Sequence, residues 1–237
     1  MVSTQHEHPV HGLRYRIERS ERRTADIVVE RDGSVSVKAP RTASVAAIER
    51  ALTVKLDWIR KSQAQLAVLT AEHMPKAYVS GEGFAVLGRN ARLKVVDTAA
   101  PGTRKALVYD GERFYLRRDA VERAPAHFKA FYRELGHERL PDRMERLAQM
   151  LGVEPTGLGI MELGHRWGSC SQAGRVNVHW KVMMAPLNVI DYVLAHELAH
   201  RVQRDHSKAF WALLRRAVPE YDTSVRWLRR HGAGMEL

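Results

Sequence analysis

The feature that most constrains this chain is the run His196-Glu197-Leu198-Ala199-His200, set inside Val189-Ile190-Asp191-Tyr192-Val193-Leu194-Ala195. On a helix, residues four apart lie one above the other on the same face, so the two imidazoles point the same way. They can take two corners of a tetrahedral zinc site, while Glu197, one step round the helix, can serve as general base to a water there. The apolar flanks suit a helix buried beneath such a site. Three protein ligands would leave the fourth position open, the catalytic rather than the structural arrangement.

Two residues compete to be the third ligand. After His200 the chain reads Arg201-Val202-Gln203-Arg204-Asp205-His206-Ser207. The helix is expected to stop near Arg204, because Asp205 or Ser207 is a good N-cap for a following helix. His206 then falls in the turn and can fold back onto the pair. Glu220 is the alternative third ligand, a carboxylate from a later helix giving His2Glu ligation. Cys170 allows a His2Cys site, although a small buried structural cysteine is the plainer reading. Tyr221, Tyr192, His179 and Arg201 are candidates to hold the oxyanion or to support the ligands. Asp191, Asp222 and Glu220 are candidates to accept from the histidine N–H groups. Strand alternation leaves open which face His179 takes.

Composition bounds the rest. The chain has 237 residues with 45% hydrophobic and 27% charged content, enough for one large or two small domains of a globular protein. No apolar run reaches membrane-spanning length, and the first residues lack a signal-peptide core, so no membrane partner is expected. A single cysteine excludes an intrachain disulfide, and a cytoplasmic setting is the expectation. The net charge of +11 favours acidic partners, nucleic acid included, but scattered Lys and Arg also describe an ordinary solvated surface.

The pattern predicts an α+β fold in three stretches. Residues 1–12 read as a flexible tail. Residues 13–120 read as a β-rich domain: a hairpin or meander over 13–38 with its turn at Arg31-Asp32-Gly33-Ser34, a helix over 44–71 with an apolar stripe that includes Leu69, and short strands from Ala77 to Leu116 split by turns such as Pro101-Gly102. Residues 121–237 read as the catalytic domain. It opens with a helix over 121–151 that Gly136 and Pro141 interrupt, followed by strands at 158–163 and 176–182. The second of these is a candidate edge for an extended substrate. Pro186 is placed to open the zinc-motif helix, and helices follow near 207–218 and 222–231. No repeat is evident.

One set of segments resembles a known family. Arg19-Ser20-Glu21-Arg22-Arg23, Trp58-Ile59, Arg166-Trp167-Gly168-Ser169-Cys170-Ser171, Tyr192-Val193 and His196-Glu197-Leu198-Ala199-His200 through His206 to Phe210-Trp211 are similar to the YgjP-like predicted metal-dependent hydrolases, from about residue 14 to residue 231. The resemblance implies a minimal zincin peptidase domain behind a β-rich region, with one zinc on His196, His200 and His206, Glu197 as base, and a peptide or protein substrate. The chain also looks related to SprT-like proteases, some of which act on proteins crosslinked to DNA. A DNA-associated protease and a zinc hydrolase of a non-peptide amide are the alternative functions. His179 and His165 depart from the residues expected at those places, which bears on contacts around the site.

Overall fold

The structure, a computed structural model, describes residues 3–9, 11–30, 32–71, 75–98, 105–164 and 166–237, without the side chains of 68–71. Arg31, the Pro101-Gly102 turn and His165 therefore lie outside the described residues, as does the side chain of Leu69. The fold is α+β, and its contacts form two compact units, Met1–His73 and Met74–Leu237.

In the first unit, β1 (Ser3–Glu7), β2 (Arg14–Ser20), β3 (Asp26–Val29) and β4 (Val35–Pro40) form a sheet in the order β1-β2-β4-β3. The alternation in β2 buries Tyr15 and Ile17, and β4 adds Val35, Val37 and Ala39. Against these lie Ile48, Leu52 and Ile59 of α1 (Val45–Ala71), a helix whose first turn is capped by Ser44 Oγ accepting from Ala47 N at 3.2 Å. The Asp32-Gly33 hairpin joins β3 to β4 as expected, but β2 pairs parallel with β4, so the sheet is not a meander. Alternation marks which residues are strands and does not say which strands neighbour. The expected tail also contains a strand: Ser3–Glu7 pairs with β2 through its backbone, and His6 stacks on Tyr15 at 5.6 Å. Such pairing needs no apolar pattern.

The second unit opens on β5 (Gly83–Val86), β6 (Arg89–Val96), β7 (Leu107–Tyr109) and β8 (Arg113–Arg117), in the order β5-β6-β8-β7. Then come α2 (Ala124–Arg139) and α3 (Pro141–Leu151), broken at Leu140 where Pro141 starts the new helix. Gly136 does not interrupt α2; it lets Ile160 pack closely, since a Cβ there would lie 3.0 Å from Ile160 Cγ1. A three-stranded sheet of β9 (Gly157–Met161), β10 (Gly168–Cys170) and β11 (Arg175–His179) has the order β10-β11-β9. The chain ends in α4 (Leu187–Ala199), α5 (Lys208–Ala217) and α6 (Tyr221–His231).

The boundary expected at 120/121 falls instead at 73/74, and the reason is packing. Phe84 of β5 stacks on Phe128 of α2 at 4.2 Å, Phe114 of β8 lies 5.0 Å from the same ring, and Tyr132 Oη donates to Ala85 O at 2.6 Å. The strands of residues 83–117 thus share one core with the helices that follow. Among the described residues, no helix is long and apolar enough to cross a membrane.

Candidate metal centre

The helix α4 is apolar almost all round, with Val189, Ile190, Val193, Leu194, Ala195, Leu198 and Ala199 buried, the composition of a helix enclosed by its domain. It stops at Ala199, earlier than the expected Arg204. Arg201 N and Val202 N bond back three residues, to Leu198 O and Ala199 O, which tightens the last turn. His200 keeps helical dihedrals (φ −65°, ψ −12°), so it stays on the face of His196, their rings 5.0 Å apart.

His206 returns to this pair from the loop before α5. Asp205 Oδ1 accepts from Ser207 N at 3.3 Å, and Trp211 Nε1 donates to His206 O at 3.0 Å, which fixes the turn from both sides. His196, His200 and His206 then offer ligand atoms all within 4.8 Å of one another, a group able to hold a metal ion. Nε2 of His196 and Nε2 of His206 are 3.1 Å apart. Nitrogens about 2.0–2.1 Å from a shared tetrahedral zinc would stand about 3.3 Å apart, so the spacing fits. His200 Nδ1 donates to Gln203 O at 3.1 Å, which leaves Nε2 as the ligand atom. Phe210, fully buried, packs against all three rings at 4.8–5.0 Å. Burial, and then the neighbouring histidines, push His196 down to about 3, holding it neutral as a ligand must be.

Glu197 is 8% exposed and lies against β10. A Cβ at Gly168 would come within 2.6 Å of Glu197 Cγ and 2.7 Å of its Oε1, so the glycine of the Trp-Gly-Ser run makes room for the carboxylate. Burial raises the Glu197 carboxyl to about 7, with Arg166 pulling the other way. The histidines and Glu197 open onto a cleft of about 650 Å³, bordered by the Arg166–Gln172 stretch, Tyr192, Arg201, Arg204 and Leu228.

The other candidates divide. Tyr192 lines the cleft with Oη 3.5 Å from His196 Nδ1, beyond a good hydrogen bond. Arg201 also lines it, donating to Gln172 O at 2.9 Å. Cys170 lines the cleft but is not one of the clustered ligand residues. Glu220, the alternative third ligand, is exposed at the start of α6 and does not join the histidine cluster. Tyr221 is buried, stacked on Trp211 at 5.2 Å with Oη facing Arg215, and does not line the cleft. His179 is fully buried and uses both ring nitrogens: Nε2 donates to Glu162 Oε1 at 2.6 Å and Nδ1 accepts from Lys181 N at 3.1 Å. It does not line the cleft, but its ring lies edge-on 6.2 Å from that of Trp167, which does. Asp191, expected as an acceptor for the histidines, binds Arg143 at 2.6 Å and Arg146 at 3.1 Å, tying α4 to α3. Asp222 faces Arg215 at 3.7 Å.

The expected edge is also corrected. Residues 176–179 belong to the central strand β11, and 180–184 turn away as a short 3-10 helix. The free edge beside the cleft is β10. Sequence reasoning passed over Arg204 and over the reason for Gly168; a glycine two residues before a cleft cysteine was the available signal of a close approach.

The sequence profile described as YgjP-like, metallopeptidase domain, matches residues 23–231. No curated protein matches the chain. Among solved structures, the metallopeptidase zymogen of Pyrococcus abyssi abylysin is similar, with 24% identity over 38% of this chain and 96% of its own, at a TM-score of 0.34. The profile spans most of the 237 residues, and the chain belongs to the YgjP-like family of metallopeptidases.

Proposed function

We propose that the chain is a zinc-dependent peptidase in which His196, His200 and His206 hold one ion and Glu197 is the general base. The convergence of three imidazoles beside a buried carboxylate is the observation that carries this reading. Three nitrogen donors with an open fourth position suit catalytic zinc, which when bound supplies Lewis-acid polarisation of the scissile carbonyl and makes the attacking water more acidic.

The protein groups do the rest. Glu197, held against Gly168, takes the proton of the attacking water and passes it to the leaving amine. Phe210 keeps the imidazole rings apart from bulk water on one side, and Gln203 O holds the His200 tautomer. The edge strand β10 orients the substrate. Trp167 O accepts from His179 N and Ser171 N donates to Arg175 O, so by antiparallel alternation Gly168 and Cys170 direct their own N–H and C=O away from β11. An extended peptide adds there as a further strand, its backbone in register with Glu197. Tyr192 and Arg201, both on the cleft, are the groups placed to steady the developing oxyanion.

Zinc content and cleavage of an unfolded protein test this in the wild type, Glu197→Gln and His206→Ala. One zinc per chain is expected, retained without activity in Glu197→Gln and largely lost in His206→Ala. Zinc-free wild-type protein that cannot be loaded would sink the reading.

A further inference from the structure

The walls of the cleft carry a one-sided charge. Three arginines, Arg166, Arg201 and Arg204, line it, and Glu197 is the one carboxylate among the described lining residues. All three arginines are exposed. Arg201 is held by a neutral carbonyl, that of Gln172, and among the described residues neither Arg201 nor Arg204 has an ion pair. Their placement is ordered along β10. Arg166 precedes Gly168 by two residues, Arg201 reaches the carbonyl two residues beyond Cys170, and Arg204 lines the same cleft. A chain laid along Gly168–Cys170 therefore meets positive charge on both sides of the position held by Glu197.

We infer that the cleft selects polypeptide segments rich in aspartate and glutamate, gripped by Arg166 at one end of β10 and by Arg201 and Arg204 at the other. This rests on the peptidase reading and names its substrate class. A polypeptide is favoured over nucleic acid because Gly168 and Cys170 present outward carbonyls as well as amides. A peptide backbone answers both, while a DNA sugar–phosphate chain offers acceptors alone.

The test is binding, read apart from turnover. Zinc-loaded Glu197→Gln protein is titrated against three labelled ten-residue peptides, identical except for Glu, Gln or Lys on both sides of the centre, with fluorescence anisotropy as the readout. The Glu peptide should bind about tenfold more tightly than the Gln peptide at low salt, the sum of two or three exposed ion pairs. The gap should shrink as salt is raised. Arg201→Glu/Arg204→Glu on the same background should reverse the order in favour of the Lys peptide, and the salt series needs neither substitution. Equal affinities at low salt would overturn the inference, as would displacement of the acidic peptide by single-stranded DNA of equal charge at lower concentration. Wild-type protein and the same peptides separate the two readings. Acidic peptides bound but never cut would defeat the peptidase and leave the charge selection standing; all three cut equally would do the reverse.

Discussion

The two four-stranded sheets have the same strand order, β1-β2-β4-β3 and β5-β6-β8-β7, with the outer pairs antiparallel and the inner pair parallel. Each has an Asp-Gly turn before its fourth strand, at Asp32-Gly33 and Asp110-Gly111, and each runs on into a helix. They differ in what covers them. The first closes a small aliphatic core with its own helix α1. The second lies under an aromatic cluster of Phe84, Phe114, Phe128 and Tyr132 that continues into Val182, Met183 and the metal-site helix. Its β5–β6 turn is tied to the approach of α4 directly: Leu87 N donates to Met183 O at 2.8 Å, and Gly88 N to Met184 O at 3.2 Å. One topology therefore serves two ends, and the packing partner decides which sheet bears on catalysis.

Cavities in the two cores are the strongest way to break that comparison. Phe128→Ala removes the ring at the centre of the second core and should cost about 4 kcal/mol. Zinc content and cleavage should be lost with it at temperatures the wild type tolerates. Leu52→Ala, equally buried in the first core, should cost about 3 kcal/mol there. Hydrogen exchange should then rise across residues 3–71 and stay low across 75–237, with zinc retained. If Leu52→Ala strips zinc as thoroughly as Phe128→Ala, the sheets are not energetically distinct.

The repeat itself was not legible. The strand pattern located β2, β4, β6 and β7, yet the shared letters of the halves are few beyond the Asp-Gly pairs, and a parallel inner pair leaves no mark on composition. The histidine pair was legible because a four-residue spacing on an apolar helix has one geometric meaning, and His206 because it follows that helix within one loop. Glu220 and His179 were left open for a common reason. Each sits at the end of an element, Glu220 just before α6 and His179 at the end of β11, where periodicity says nothing of the direction a side chain takes.

A subtler contrast lies in two glycines with nearly equal φ. Gly88 (φ +78°) and Gly33 (φ +79°) both occupy hairpin turns that demand positive φ. A Cβ at Gly88 would lie 2.8 Å from Pro186 Cα, at the entrance to α4, whereas at Gly33 it would meet nothing within 4 Å. Gly88→Ala should cost about 2 kcal/mol through strain and collision together, lowering the melting temperature of its unit by roughly 4–8 °C. Gly33→Ala should cost about 1 kcal/mol from strain alone. Melting curves giving equal losses would show that the β5–β6 turn does not brace the metal-site helix.

The smallest effect is a pH dependence confined to the second unit. Burial raises the Glu162 carboxyl, but hydrogen bonds from Lys129, Trp180 and His179 outweigh it and bring the group from 4.5 to about 2. Through these bonds Glu162 joins α2 to the strand and turn that lead into α4. A depressed carboxylate stabilises the fold fully above its unfolded value and loses that contribution as pH falls toward its folded one. Stability of the second unit should therefore decline between about pH 4.5 and pH 2, and Glu162→Gln should start lower and decline less across that window. The Glu162 side chain is half exposed, so the slope difference should be small. Hydrogen exchange of residues 75–237 across this pH range, compared with residues 3–71 in the same molecules, isolates it. An acid response of the second unit that Glu162→Gln leaves unaltered would show that the carboxylate is bystander to the packing that carries the metal site.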